Sequence, residues 1–243
     1  MKKTEYDNID IIGITHETYK DSAEKLILDY YHKQEVGTVS YLLKKMNLQN
    51  FDQVVDLGTS VGVWYNDYKN LNFKKVIGID ISSKRVNEAK KRGYDEVHIC
   101  NAYDLPFENE SQHCMISNDV LVHVLQDSDK LKIFQEARRV LKKGGILVFN
   151  FANAYGFGYK SDTYSGETQR LNIPKTMMQL VNDAGLKVEY IVPSYYTIPR
   201  IGANPHLALI SSKLIFLLID SILRRSKNLN LAKVIYLGVR KVN

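Results

Sequence analysis

Two aspartates and two glycines are spaced so that together they could hold a ligand carrying an ammonium group and a ribose. Asp56, Gly58 and Gly62 follow the apolar pair Val54-Val55, and Asp80 ends a second apolar segment 22 residues after Gly58. Gly58 allows a tight turn, Gly62 allows close backbone approach, and the helix that follows presents free N–H groups to a carboxylate. Asp56 is placed to accept a hydrogen bond from the ammonium, and Asp80 to accept hydrogen bonds from both ribose hydroxyls.

The elements that must position these residues alternate between short apolar segments and helical segments. This alternation predicts a parallel sheet covered by helices on both faces, which right-handed crossovers turn into a doubly wound α/β fold. Ligands of such folds bind beyond the carboxyl ends of the strands. The seven predicted strands are Asp52–Asp56, Lys75–Asp80, Glu96–Cys100, His113–Ser117, Ile146–Phe151, Lys187–Val192 and Lys233–Val239.

Each predicted helix is recognised by apolar residues at helical spacing and by residues typical of helix ends. Asp127 is predicted as an N-cap and Pro174 as a first helical residue. The helices are expected over residues 17–47, 64–70, 84–92, 127 to the Gly144-Gly145 pair, and 174–185. We predict one domain over residues 1–243, with a helical cap (1–50), a cofactor-binding core (51–193), a helical insertion (194–231) and a final strand (232–243).

A nicotinamide-dependent enzyme is the first alternative for the glycine loop. Its pattern, G-x-G-x-x-G, would require glycine at position 60 and glycine or another small residue at position 63 when it starts at Gly58. The chain has Ser60 and Val63 instead, and Gly62 breaks the spacing. The sequence therefore disfavours a dinucleotide site of that type.

Five segments resemble, in order, the motifs of class I S-adenosylmethionine-dependent methyltransferases, in particular the small-molecule, type 11-like branch. Residues 56–62 resemble the family's D-x-G-x-G-x-G motif, with Ser60 in place of the middle glycine. The other four are the ribose-binding strand end (79–82), the segment that borders adenine (101–107), the fourth-strand motif (117–124) and the hairpin before strand five (139–145). The resemblance is dense over residues 52–151.

The resemblance implies a Rossmann-like doubly wound sheet of seven strands, mostly parallel with the last strand antiparallel. It also implies that the cofactor is S-adenosyl-L-methionine and the product S-adenosyl-L-homocysteine. In the family an aspartate usually stands where Asn101 lies, and the amide oxygen could keep the contact with the adenine amine. The residues expected at the cofactor are Asp56, Gly58, Ser60, Gly62, Asp80, Ile81, Asn101, Ala102 and Asn118.

For the methyl acceptor, the sequence offers one candidate base and several aromatic side chains. His123 follows the fourth strand, where an imidazole titrating near neutral pH could act as general base or could simply pack. Aromatic residues suit an apolar pocket with a polar edge, and Tyr19, Tyr155, Tyr159 and Tyr195 are the candidates. The chain lacks an [N/D/S]-P-P-[Y/F/W] tetrad after this strand, which disfavours methylation of base amines or glutamine amides.

Composition and charge limit the remaining classes. Apolar residues make up 44% of the chain and charged residues 25%, as in ordinary globular proteins, and the two cysteines suggest neither a disulfide scaffold nor a metal site. Residues 213–243 hold seven basic residues and one acidic residue, which account for the whole net charge of +6. No secretory signal or spanning segment is visible, so a cytoplasmic location is expected.

Three functions remain open at this point. A small-molecule methyltransferase is favoured over an RNA methyltransferase that uses the basic C-terminus, and over a nonenzymatic cofactor-binding protein. Residues 212–227 are predicted to cover the acceptor pocket, with peripheral contact to a membrane as the alternative. Nucleic acid is not an expected partner, and the sequence does not indicate the oligomeric state.

Overall fold

The computed structural model describes residues 22–165, 168–194, 196, 222 and 228–242 of the chain. Its helices are α1 (Ser22–Lys45), α2 (Tyr65–Asn70), α3 (Ser83–Lys91), α4 (Asp127–Val140) and α5 (Pro174–Asp183). Its strands are β1 (Gln53–Leu57), β2 (Lys75–Asp80), β3 (Glu96–Ile99), β4 (Gln112–Ser117), β5 (Leu141–Ala152), β6 (Thr163–Ser165), β7 (Gln169–Leu171), β8 (Lys187–Pro193) and β9 (Val234–Arg240). Short 3₁₀ turns lie at Leu121–His123, Ala154–Phe157 and Leu229–Leu231.

Seven strands form one sheet in the order β3-β2-β1-β4-β5-β9-β8. The pairs from β3 to β5 are parallel, and β9 lies antiparallel between β5 and β8. The predicted Rossmann-like doubly wound fold, with the last strand antiparallel, is therefore confirmed. Between β1 and β4 the chain order reverses, and this is the switch point at which such sheets bind ligands.

Two apolar clusters cover the two faces of the sheet. One contains α4 and α5, and the other contains α1, α2 and α3. Continuous apolar runs such as Val54-Val55 are buried on both sides, as expected of central parallel strands. On β9, Gly238 lets the end of α1 approach closely, because a Cβ there would lie 3.2 Å from Leu42 of α1 and 2.7 Å from the sulfur of Met46, which follows the helix.

The structure corrects two predicted helix boundaries and adds one hairpin. Asp127 is the first residue of α4 rather than its N-cap, and its carboxylate pairs with Arg170 at 2.8 Å. Helix α4 ends at Val140, before the glycine pair, because β5 begins at Leu141; Gly144, with φ of 75°, lies in an irregularity of that strand. Strands β6 and β7 form a small antiparallel hairpin in the segment predicted as a loop.

The predicted flanking segments are described in part. Residues 17–21 and most of 194–231, including nearly all of 212–227, lie outside the described residues, so their predicted roles stay predictions. Residues 22–45 form one continuous helix through Gly37. Among the helices that the structure describes, none is long and apolar enough to cross a membrane.

Candidate cofactor site

A cavity of about 470 Å³ opens at the carboxyl ends of β1, β2 and β4. This volume is within the usual range for small-molecule sites. Seven of the nine residues predicted to contact the cofactor line it, and so does the candidate base His123. The seven are Gly58, Ser60, Asp80, Ile81, Asn101, Ala102 and Asn118.

The loop after β1 is held in its turn by backbone hydrogen bonds to the neighbouring strand. The N–H groups of Gly58 and Thr59 donate to the carbonyl oxygen of Ile79 at 2.7 and 2.9 Å. Gly58 has φ of 82°, and a Cβ there would lie only 2.1 Å from a methyl carbon of Val120. Ser60, which replaces the family's middle glycine, also has positive φ, 50°, so the loop keeps a left-handed turn despite the side chain.

Asp80 is fixed at the tip of β2 by two backbone donors. Its Oδ2 accepts from the N–H of Ser60 and its Oδ1 from the N–H of Ser82, both at 2.9 Å. Burial raises the pKa of this carboxyl, and the hydrogen bonds from Ser82 and Ser60 offset part of that rise. The carboxyl lines the cavity, so its remaining acceptor capacity can serve a vicinal diol such as the hydroxyls of a ribose.

One end of the cavity suits a flat heteroaromatic ring. Ile81 follows β2, and residues 100–103 follow β3, so both segments line the cavity at the same edge of the sheet. Ile81 and Ala102 provide apolar contact. The amide oxygen of Asn101 accepts from the N–H of Tyr103 at 3.5 Å, the limit for a hydrogen bond, which keeps it available for an exocyclic amine.

Asp56 and Gly62 do not line this cavity, contrary to the sequence prediction. The side chain of Asp56 is 3% exposed, and its two oxygens accept hydrogen bonds from the hydroxyls of Tyr68 and Tyr94. Burial raises its pKa to about 6. Gly62 packs against α3 and the turn after it, because a Cβ there would lie 2.9 Å from Ala89 and from the Tyr94 ring.

A chain of buried hydrogen bonds supports the cavity from below. Asn118 donates to the Tyr68 hydroxyl at 3.2 Å and accepts from the Tyr236 hydroxyl at 3.0 Å. Asn150 donates to Tyr236 at 3.2 Å and to the carboxylate of Asp119 at 2.8 Å. Because Asp56 also accepts a hydrogen bond from Tyr68, this hydrogen-bond network connects the ends of β1, β4, β5 and β9. It fixes Asn118 and Asp119 at the cavity.

His123 lies in the 3₁₀ turn after β4 and lines the cavity as predicted. Its Nδ1 is 3.2 Å from the carbonyl oxygen of Thr168, which favours the tautomer that carries the proton on Nδ1. Burial lowers the pKa of the imidazole. The ring is therefore neutral at neutral pH, with Nε2 left as the acceptor nitrogen.

Two of the four tyrosines predicted for the acceptor pocket can be placed in the described part of the chain, and neither lies on this cavity. Tyr155 and Tyr159 do not line the cavity, and Tyr159 is 49% exposed. The 3₁₀ turn Ala154–Phe157, which contains Tyr155 and precedes Tyr159, packs against residues 229–232, where a Cβ on Gly156 would lie 2.1 Å from the Ala232 carbonyl oxygen. Tyr19 and Tyr195 lie outside the described residues.

Sequence reasoning missed the contribution of α1 and α3 to the cavity. His32 and Glu35 reach it from α1, Arg85 from α3, and Trp64 from the turn before α2. Glu35 could have been found, because it continues the buried stripe formed by Val39, Leu42 and Met46 at helical spacing. An acidic residue on the buried face of a helix is unusual, because glutamates are almost never fully buried unless they are paired.

The residues present fit a nucleoside joined to an amino acid. The adenine end is apolar with one amide oxygen, the ribose position has a fixed carboxylate, and the opposite end has polar and acidic groups. S-adenosylmethionine has the corresponding parts in the same order.

Comparisons with known proteins agree with this geometry. Residues 55–149 match the family model described as a methyltransferase domain. An uncharacterised protein of Methanocaldococcus jannaschii is 30% identical over 137 residues, which are 56% of this chain and 51% of that protein. The chain spans about half the length of the curated relatives it matches.

Solved structures share the fold at low sequence identity. A crystal structure of an S-adenosylmethionine-dependent methyltransferase from Clostridium acetobutylicum has a TM-score of 0.61 and 14% identity, covering 87% of this chain and 92% of that one. Geranyl diphosphate C-methyltransferase from Streptomyces coelicolor has a TM-score of 0.60 and 17% identity, covering 92% and 85%. Together with the sheet order, these findings show that the chain has the fold of class I S-adenosylmethionine-dependent methyltransferases and that residues 55–149 match a methyltransferase-domain model.

Proposed function

We propose that this protein transfers a methyl group from S-adenosylmethionine to a small-molecule acceptor. The observation that carries the proposal is Asp80, which two backbone N–H groups hold on the cavity wall between the glycine loop and the adenine end. Asp80 binds the ribose, Ile81 and Ala102 pack on the adenine, and Asn101 accepts from its amine. Matched structures that bind this cofactor or its product share the fold and support the assignment.

When bound, the cofactor supplies a methyl group on its sulfonium. Transfer of that methyl group is an in-line displacement in which S-adenosylhomocysteine is the leaving group. The protein then has to orient the acceptor and exclude water. The buried hydrogen-bond network that includes Asn118 and Asp119 holds these cavity residues in place at the switch point. We therefore expect these polar side chains to reorganise little during methyl transfer.

His123 is the proposed general base for an acceptor that must lose a proton, such as an alcohol, a phenol or an acidic carbon. Its neutral ring, held through Nδ1, leaves Nε2 to take the proton. We predict that His123→Ala lowers kcat by about 10²-fold or more, because general-base catalysis contributes on that order. Affinity for S-adenosylhomocysteine, measured by calorimetry, should stay within a factor of two; unchanged turnover would remove His123 from this role.

The acceptor class can be tested with methyl-labelled S-adenosylmethionine and fractionated cell extract. We expect the label in low-molecular-mass material, with transfer unaffected by nuclease treatment and little changed by salt. Label in nuclease-sensitive material, with a steep salt dependence, would instead indicate an RNA methyltransferase that uses the basic C-terminus. Cofactor binding without any transfer would indicate a nonenzymatic role. Cytoplasmic location and the membrane contact of residues 212–227 stay predictions.

A further inference from the structure

Glu35 is a buried carboxyl on the cavity wall that has no hydrogen-bonding partner among the residues that the structure describes. It lies on α1, is 6% exposed, and lines the cavity. Within the described part of the chain, no group donates a hydrogen bond to this carboxyl or forms an ion pair with it. Buried carboxylates normally have such partners, so an unpartnered one that faces a cavity indicates a ligand with donors or positive charge.

A second carboxyl, that of Asp119, acts on Glu35 across the cavity. Burial, and then the charge of Asp119, raise the pKa of Glu35 well above its usual range. Asp119 is fixed with φ of 57°, because its N–H and its carboxylate both bond to the side-chain amide of Asn150, at 2.6 and 2.8 Å. The two carboxylates repel each other, and a cation bound between them would remove the repulsion.

The strand order indicates which part of the cofactor reaches these carboxyls. In the proposed function, residues at the tips of β3 and β2 would hold adenine, and Asp80 on β2 would hold the ribose. Since the amino-acid part leaves the ribose on the side away from adenine, it extends over β1 and β4. Asp119 follows β4 directly, and Glu35 reaches the same end of the cavity from α1.

The carboxyl that the sequence predicted for the ammonium is not available there. Asp56 lies outside the cavity wall, and both of its oxygens are bonded to tyrosines. We propose that Glu35, together with Asp119, binds the α-ammonium of the cofactor's amino-acid part in place of Asp56. This inference rests on the proposed function, since it assumes S-adenosylmethionine in the cavity.

The test compares two nucleosides that differ only at the ammonium. Calorimetry with the full chain measures affinity for S-adenosylhomocysteine and for its desamino analogue, which keeps the carboxylate and lacks the α-ammonium. For Glu35→Gln, we expect affinity for S-adenosylhomocysteine to fall about tenfold or more, because a charge-assisted contact is lost. Affinity for the desamino analogue should change less than twofold. Glu88→Gln, an exposed carboxyl on α3 that pairs with Lys91, is the matched control and should bind both nucleosides like the parent.

Each other outcome counts against the assignment. An equal loss for both nucleosides would show that Glu35 shapes the cavity generally, and no loss for either would place Glu35 at the acceptor or in a structural role. If Glu35→Gln does not fold, Asp119→Asn carries the same test, because asparagine tolerates positive φ and keeps an acceptor for Asn150. If the parent binds neither nucleoside, the proposed function itself fails, which is distinct from failure of the Glu35 assignment alone.

Discussion

Asp56 and Asp80 end neighbouring parallel strands, but their surroundings give them different roles. Asp80 faces the cavity and is anchored by backbone N–H groups, so it can bind a ligand. Asp56 lies behind the glycine loop, where Tyr68 and Tyr94 use both of its oxygens. The sequence could predict that both carboxylates lie at the switch point. It could not predict that two tyrosines, 12 and 38 residues further along the chain, would donate hydrogen bonds to both oxygens of Asp56.

Replacing Asp56 should change how stability depends on pH. Its pKa in the folded protein, about 6, is above its ordinary value of 3.8, so the folded state retains a proton that the unfolded state has already released. The free energy of unfolding therefore falls as pH rises from about 4 to 6, by up to about 3 kcal/mol from this group, and stays low above pH 6. For Asp56→Asn, urea unfolding at several pH values should show a free energy of unfolding that no longer falls by this amount between about pH 4 and 6. If the free energy of unfolding depends on pH in the same way for parent and variant, Asp56 does not have the raised pKa.

Ser60 shows how the loop tolerates a side chain where the family has glycine. Its φ of 50° is left-handed, which costs about 1 kcal/mol for a residue with a Cβ, whereas its N–H still reaches Asp80. We predict that Ser60→Gly changes the free energy of unfolding by no more than about 1 kcal/mol, since the relief of strain is partly offset by a more flexible unfolded chain. Affinity for S-adenosylhomocysteine should change less than twofold. A large loss of affinity would show that the hydroxyl contacts the ligand.

Among the elements, the glycine loop lines the cavity and also packs tightly against helix α3. Gly62 sits against Ala89 of α3 and the ring of Tyr94, so it sets how closely the loop approaches that helix. The sequence predicted the loop and the helix correctly. The tight contact between them depends on side chains from α3 and the turn after it, which no local pattern reveals.

Gly62→Ala should therefore destabilise the fold by about 2–4 kcal/mol, since the added methyl group meets the α3 backbone and the residue also has φ of 85°. Gly144→Ala is the matched control, with φ of 75° but nothing within 4 Å of the added Cβ, and should lose only about 1 kcal/mol. Urea unfolding measures both variants. Equal losses would show that packing at Gly62 is not tight, and a loss of ligand affinity without a loss of stability would return Gly62 to the binding site.

The other elements show which parts of the fold could be predicted from sequence patterns and which could not. All seven strands of the main sheet were predicted within a few residues, because continuous apolar runs mark buried parallel strands. The glycine pair 144–145 suggested a helix stop, but it lies in the irregular start of β5, which pairs with β4 from Leu141. The hairpin of β6 and β7 was not predicted, since its strands have only three residues each.

At the scale of the whole molecule, the cavity combines elements that are far apart in the chain. The residues that we assign to adenine and ribose lie in segments next to recognisable motifs, so the sequence could predict that they lie together at one edge of the sheet. The opposite end of the cavity includes Glu35 from α1 and His123 with its partner Thr168, and these positions depend on how helices and loops pack on the sheet. Tyr155 and Tyr159, predicted for the acceptor pocket, do not line this cavity, and the Ala154–Phe157 turn beside them packs on residues 229–232.

The most direct test of the central claim is calorimetry of S-adenosylhomocysteine binding to the parent and to Asp80→Ala. The account predicts saturable binding to the parent and an affinity lower by about a hundredfold or more for Asp80→Ala, because two hydrogen bonds to a charged carboxylate are lost. Asp183→Ala, an exposed carboxyl at the end of α5, is the control and should bind like the parent. No heat with the parent, or equal affinity for the parent and Asp80→Ala, would contradict the account.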